Sequence, residues 1–208
     1  MRRSVQSLTS RCLTNESSSR PSVARLAKAF DFCSRLIRDV RHPRNDVSVI
    51  AYSDTIAGSL EELFDLTQDY ARRPAWDPFP DSYEFHDGAL APAPGVELTV
   101  RARNGYSMRV KYVSYVRPRA AAIEMVSGPW FIRRFAGTWS FMAESANTTR
   151  VTFKYNVAAG PKWLSPVLQP LLNRSLSRHI KRRVIALKAY AESAAMVRVP
   201  NKTMEPTR

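Results

Sequence analysis

Apolar residues fall at every second position along 106–116 and 149–157, then at every third or fourth position from Leu171 onward. This switch of period constrains the fold more than any other feature of the chain. Period two belongs to strands with one buried face, and a period near 3.6 to an amphipathic helix. Over 106–116, Tyr106, Met108, Val110 and Tyr112 alternate with Ser107, Arg109 and Lys111; over 149–157, Val151, Phe153, Tyr155 and Val157 alternate with Arg150, Thr152 and Lys154. Asn104-Gly105 signals a tight hairpin, because both residues accept the positive φ such turns require. Further strands are expected at 47–52, 82–85, 96–103, 121–127 and 131–142, with turn residues between them. The fold class is therefore α+β: an antiparallel meander of six or seven strands followed by one long C-terminal helix.

That helix is read over 171–191, with Leu172, Leu176, Ile180, Leu187 and Ala191 on one face and Arg174, Arg178, Lys181, Arg182 and Lys188 on the other. About 20 residues span about 30 Å, enough to cross a sheet. Pro166 and Pro170 are expected to separate it from a short lead-in. A second, shorter helix or a broken helix pair is read over 59–70, with Ser53 and Asp54 as helix-entry residues, and the proline-rich run 74–80 is expected to be irregular.

At 208 residues, with a hydrophobic content of 44%, one core plus tails is the natural division. Residues 1–45 form a basic extension, 46–192 the folded domain and 193–208 a loose tail. Ten Arg and Lys against three acids give the extension a net +7, whereas the domain holds nineteen against fourteen, a net +5. Within the extension, Val23, Leu26, Phe30, Cys33, Ile37 and Val40 recur at helical spacing among arginines, a basic amphipathic helix over about 23–40. It is open to four readings: a peripheral membrane anchor, a targeting segment, a helix packed on its own domain, or a stretch ahead of the true start. High pI alone is a weak argument for nucleic acid, so that partner is not expected.

No apolar run reaches the roughly 18 residues of a membrane span, which points to a soluble, cytoplasmic protein, peripheral to a membrane at most. Oligomeric state is left open. Cys12 and Cys33 lie outside the domain, and His42, His86 and His179 are isolated from other ligand types, so neither a disulfide framework nor a metal site is expected, and no cofactor is implied.

The order of elements, with the loop Trp76-Asp77-Pro78-Phe79, the strand Gly137-Thr138-Trp139-Ser140-Phe141 and the strand Thr148-Thr149-Arg150-Val151-Thr152-Phe153, resembles the START-like (SRPBCC) superfamily. Within it the closest likeness is to the polyketide cyclase/dehydrase and lipid transport group. The resemblance implies a helix-grip fold, as in Bet v 1, whose curved sheet wraps the terminal helix around a cavity for lipids, quinones, polyketides or other apolar compounds. It does not imply one activity, because the superfamily holds carriers, cyclases, hormone-binding proteins and modules that contact ribosomes or membranes.

Candidate cavity residues are those on the strand faces and helix face turned toward each other: Trp76 from the loop, Tyr106, Met108, Tyr112, Met125, Phe131, Phe135, Trp139, Phe153 and Tyr155 from the sheet, and Leu172, Leu176, His179 and Arg183 from the helix. Met and Tyr suit such a lining because they bury apolar area adaptably and, for Tyr, offer a polar tip. Plain core packing is the competing account of the same stripe. Arg183 on the apolar face is costly unless it binds a carboxylate, phosphate or enolate oxygen of a ligand, pairs with a buried acid such as Glu124, or snorkels to solvent, and His179 one turn earlier is a candidate proton carrier. There is no Ser-His-Asp order, paired carboxylate or phosphate-cradling loop. The expectation is an apolar-ligand binder, with a cyclase or dehydratase as first alternative and a basic adaptor for RNA, ribosomes or membranes as second.

Overall fold

The computed structural model describes residues 47–198. The basic helix expected at 23–40, both cysteines and residues 199–208 lie outside the described residues, whereas 193–198, expected in the loose tail, continue the terminal helix. Seven strands, β1 (Ser48–Ala57), β2 (Pro80–Phe85), β3 (Glu97–Ala102), β4 (Ser107–Val116), β5 (Ala120–Ser127), β6 (Ile132–Ser145) and β7 (Thr148–Ala159), form one antiparallel sheet in the order β1-β7-β6-β5-β4-β3-β2. Two helices complete it: α1 (Leu60–Gln68) after β1, and α2 (Ser165–Arg198) after β7. This is the curved sheet and long terminal helix of a helix-grip fold. Among the described residues no helix is long and apolar enough to cross a membrane.

Register aligns the inward residues across strands. Tyr52 faces Phe153, which faces Trp139, which faces Ala121. The Trp139 and Phe153 rings stack with centroids 3.9 Å apart. Register shifts between Tyr112 and Ser114 and between Ile132 and Arg134 bend β4 and β6, as an extra residue on one strand must, and the sheet curls toward α2. The helix buries Ile180, Val184 and Leu187 against β1 and β7, while Lys181 and Arg182 stay exposed. Lys188 binds Asp54 at 3.0 Å and Asn173 donates to Ser48 at 3.0 Å, so polar pins on β1 fix where α2 lies across the sheet.

Two sequence expectations are corrected. Ser53 and Asp54 do not start the first helix, because β1 continues through them to Ala57 and Asp54 is claimed by Lys188. Ser59 is the N-cap instead: its hydroxyl accepts the Glu62 amide while the Glu62 carboxylate accepts the Ser59 amide, a capping box. Nor do Pro166 and Pro170 split the terminal helix, which is continuous from Ser165. Pro166 sits in the first turn, where amides lack intrahelical partners anyway. Pro170 is exposed, and the neighbouring Gln169 side chain ties this end of the helix to β7, accepting from the Ala159 amide at 2.7 Å. The local cost of a helical proline is thereby tolerated.

Candidate ligand-binding cavity

Sheet and helix face each other without closing the space between them. A cavity of about 250 Å³ remains, just below the range of about 300–1,000 Å³ usual for small-molecule sites. The hairpin and β4 supply Tyr106, Met108, Val110 and Tyr112; β6 with the loop before it supplies Phe131, Phe135, Gly137 and Trp139; β7 supplies Phe153 and Tyr155; and α2 supplies Leu172, Leu176, His179 and Arg183. Among the wall residues, Asn104, Tyr106, Ser107 and Ser175 are exposed and so mark the mouth. From Ser175 to Arg183 the helix advances about 12 Å at about 1.5 Å per residue, which sets the depth.

Two candidates do not reach the wall. Trp76 is buried beside Trp139, with ring centroids 6.3 Å apart, behind the lining. Met125 lies under Gly128, where its sulfur would sit 2.7 Å from an added Cβ, and likewise contributes no lining.

The inner end is polar and charged. Arg183 donates through Nη2 to Asp77 Oδ2 at 2.5 Å and through Nη1 to the Tyr155 hydroxyl at 2.6 Å. Its guanidinium also lies over Phe153 and Phe79. The partner expected for Arg183 is therefore corrected: Glu124 is exposed on β5, and the buried acid is Asp77 of the proline-rich loop. That loop is irregular only in part, since Arg73–Ala75 forms a 3-10 turn that places Arg73 Nε 3.1 Å from the same Asp77 oxygen. Tyr83 donates to it at 3.5 Å, and the Phe79 amide donates to Asp77 Oδ1 at 3.1 Å. Burial pushes the Asp77 carboxyl up, but Arg183 and Arg73 beside it outweigh burial and hold it below the usual carboxylate range.

Arg73, Tyr70, Tyr83 and Gln68 also line the cavity and were not among the sequence candidates. Arg73 and Asp77 stand four apart around Pro74, a spacing that brings side chains together in a helical turn, and this was the available signal. The hydroxyls beside them form a directed chain. Tyr112 donates to Gln68 Oε1 at 2.9 Å, so Tyr70, 2.6 Å away, donates to Tyr112. Burial pushes the Tyr112 hydroxyl well above its ordinary pKa, so it remains protonated.

His179 packs edge-on against Phe79 at 5.2 Å. Burial first, then the charges of Arg183 and Arg182, lower its pKa from the ordinary value near 6.5, so the ring is neutral at pH 7 and able to accept a proton. Its ring-proton NMR signals should accordingly titrate below about pH 6.5, and Arg183→Met should raise that midpoint. A midpoint above 6.5 would mean that the ring does not face these cations.

The arrangement holds an apolar molecule against aromatic and aliphatic walls, and presents donors and cations at its inner end. No curated protein matches the chain significantly in sequence. Solved structures match in fold. The Zhui aromatase/cyclase from Streptomyces sp. R1128 superposes with a TM-score of 0.62 at 13% identity, covering 76% of this chain and 99% of that one. A START superfamily protein from Mycobacterium smegmatis gives 0.58 at 14% identity, covering 70% and 98%. A norcoclaurine synthase point mutant from Thalictrum flavum gives 0.57 at 11%, covering 74% and 99%. The sequence profile described as polyketide cyclase / dehydrase and lipid transport matches residues 49–192, nearly the whole sheet and terminal helix, and the chain belongs to that family.

Proposed function

We propose that the protein binds and carries an apolar small molecule in the cavity between sheet and α2. The single observation behind this reading is the unfilled space itself: a core of this size that served only stability would close to native packing density, because an apolar void forfeits contacts on every side. A ligand burying about 300 Å² of apolar surface gains about 7 kcal/mol at about 25 cal/mol per Å², and association costs leave micromolar affinity. The limited volume favours a single chain or a compact ring system over a two-chain lipid.

A cyclase or dehydratase is the second reading. It is favoured by the neutral His179 one turn from Arg183, which together could move a proton and polarise a carbonyl. Against it, Tyr112 has its proton committed to Gln68, and Arg183 is already divided between Asp77 and Tyr155.

The test is fluorescence titration of the full chain with the uncharged probe N-phenyl-1-naphthylamine, followed by incubation with a reactive poly-β-keto thioester mimic. One saturable site of micromolar order, with the mimic returned unchanged, is expected. Absence of saturable binding would sink the carrier reading, and turnover of the mimic would replace it with the enzymatic one.

A further inference from the structure

The inner end of the cavity carries one more positive charge than negative. Among the described residues two guanidinium groups, Arg73 and Arg183, reach the wall and no carboxylate does; Asp77, behind the wall, is the acid they share. All three are at least nine-tenths buried. The other ionisable groups facing them do not supply the missing negative charge. Tyr83, Tyr112 and Tyr155 are driven toward the neutral phenol by burial, and His179 is neutral.

The two arginines differ in what they have left to give. Both Nη groups of Arg183 are engaged, and of its donors only the buried Nε lacks a partner among the described residues. Arg73 is held through Nε alone, and among the described residues its two Nη groups make no hydrogen bond or ion pair; Tyr70, Trp76 and Tyr83 offer it only ring faces. A buried guanidinium with its fork unfilled lacks the bidentate acceptor its geometry matches.

We propose that the ligand is an amphiphile with a single anionic oxyacid head, a carboxylate or its equivalent, seated inward on Arg73 with its apolar body running about 12 Å along α2 toward Tyr106 and Leu172. This inference rests on the cavity-binding reading above and adds the chemistry and direction of the ligand. The head neutralises the surplus charge, so the acid is favoured over an uncharged compound of the same shape by more than hydrophobic burial supplies.

Decanoate and decanol share one chain and differ in the head. Each is titrated against wild-type protein and against Arg73→Met by displacement of N-phenyl-1-naphthylamine at pH 7.5, below micellar concentrations. Decanoate is expected to bind wild type at least about tenfold more tightly than decanol. In Arg73→Met, which leaves the Asp77–Arg183 pair balanced, that preference should fall to within about threefold, with decanol unchanged or improved. Equal binding of the two compounds to wild type would overturn the proposal and leave the carrier reading intact, and so would a preference that survives in Arg73→Met. If the probe and both compounds fail to bind, the carrier reading fails and the proposal with it. The wild-type comparison alone is decisive should the variant not fold.

Discussion

Replacing Asp77 with Asn is expected to lower the free energy of unfolding by about 3–5 kcal/mol, the usual penalty for removing one partner from a buried ion pair. The change is nearly isosteric, so packing cannot account for such a loss. It leaves two buried guanidinium groups, Arg73 and Arg183, with no counter-charge. Removing either cation instead leaves a balanced pair. Arg73→Met should therefore cost less than about 2 kcal/mol, and Arg183→Met an intermediate amount, because Arg183 also loses Tyr155 and its packing over Phe153. Urea unfolding followed by tryptophan fluorescence gives all three values. An Asp77→Asn variant as stable as Arg73→Met would show that the cluster is not charge-limited.

The same cluster sets the response to acid. The folded pKa of Asp77 lies below its unfolded value because Arg183 and Arg73 outweigh the effect of burial. Its contribution is therefore complete above about pH 4 and is lost as pH falls through the folded value. Asp77→Asn should flatten that part of the stability profile.

The sheet and the terminal helix were legible because each has one wet and one dry face. Val151, Phe153, Tyr155 and Val157 alternate with polar residues along β7 and are all buried, as period two requires. What was not legible came from residues whose role depends on partners distant in sequence. Asp54 resembles a helix start until Lys188 comes across from α2, and Asp77 resembles a turn residue until Arg183, 106 positions later, closes on it. Arg73 was hidden for a related reason. It stands beside the equally basic Arg72, which is exposed and paired with Asp69, and only the turn through Pro74 sends one arginine outward and the other in. Trp76 marked the right loop, but the residue that meets the cavity cations is its neighbour Asp77.

Filling the cavity from opposite walls separates a built pocket from a loosely packed core. Ala121 is buried on β5 beside Trp139, and Leu176 lies on α2 near the mouth; both line the space. In a close-packed interior, Ala121→Leu or Leu176→Trp would force rotamers and backbone aside at about 1–3 kcal/mol each. In a cavity of about 250 Å³ the added atoms occupy open volume and gain contacts. Each variant is expected to keep its unfolding free energy within about 0.5 kcal/mol of wild type or exceed it, and to lose at least about tenfold in affinity for N-phenyl-1-naphthylamine. Stability and binding then move independently, which a residue of purely structural role does not allow. The reverse outcome, destabilisation by the overpacking amount with probe binding unchanged, would place the probe elsewhere on the protein and return these side chains to an ordinary core.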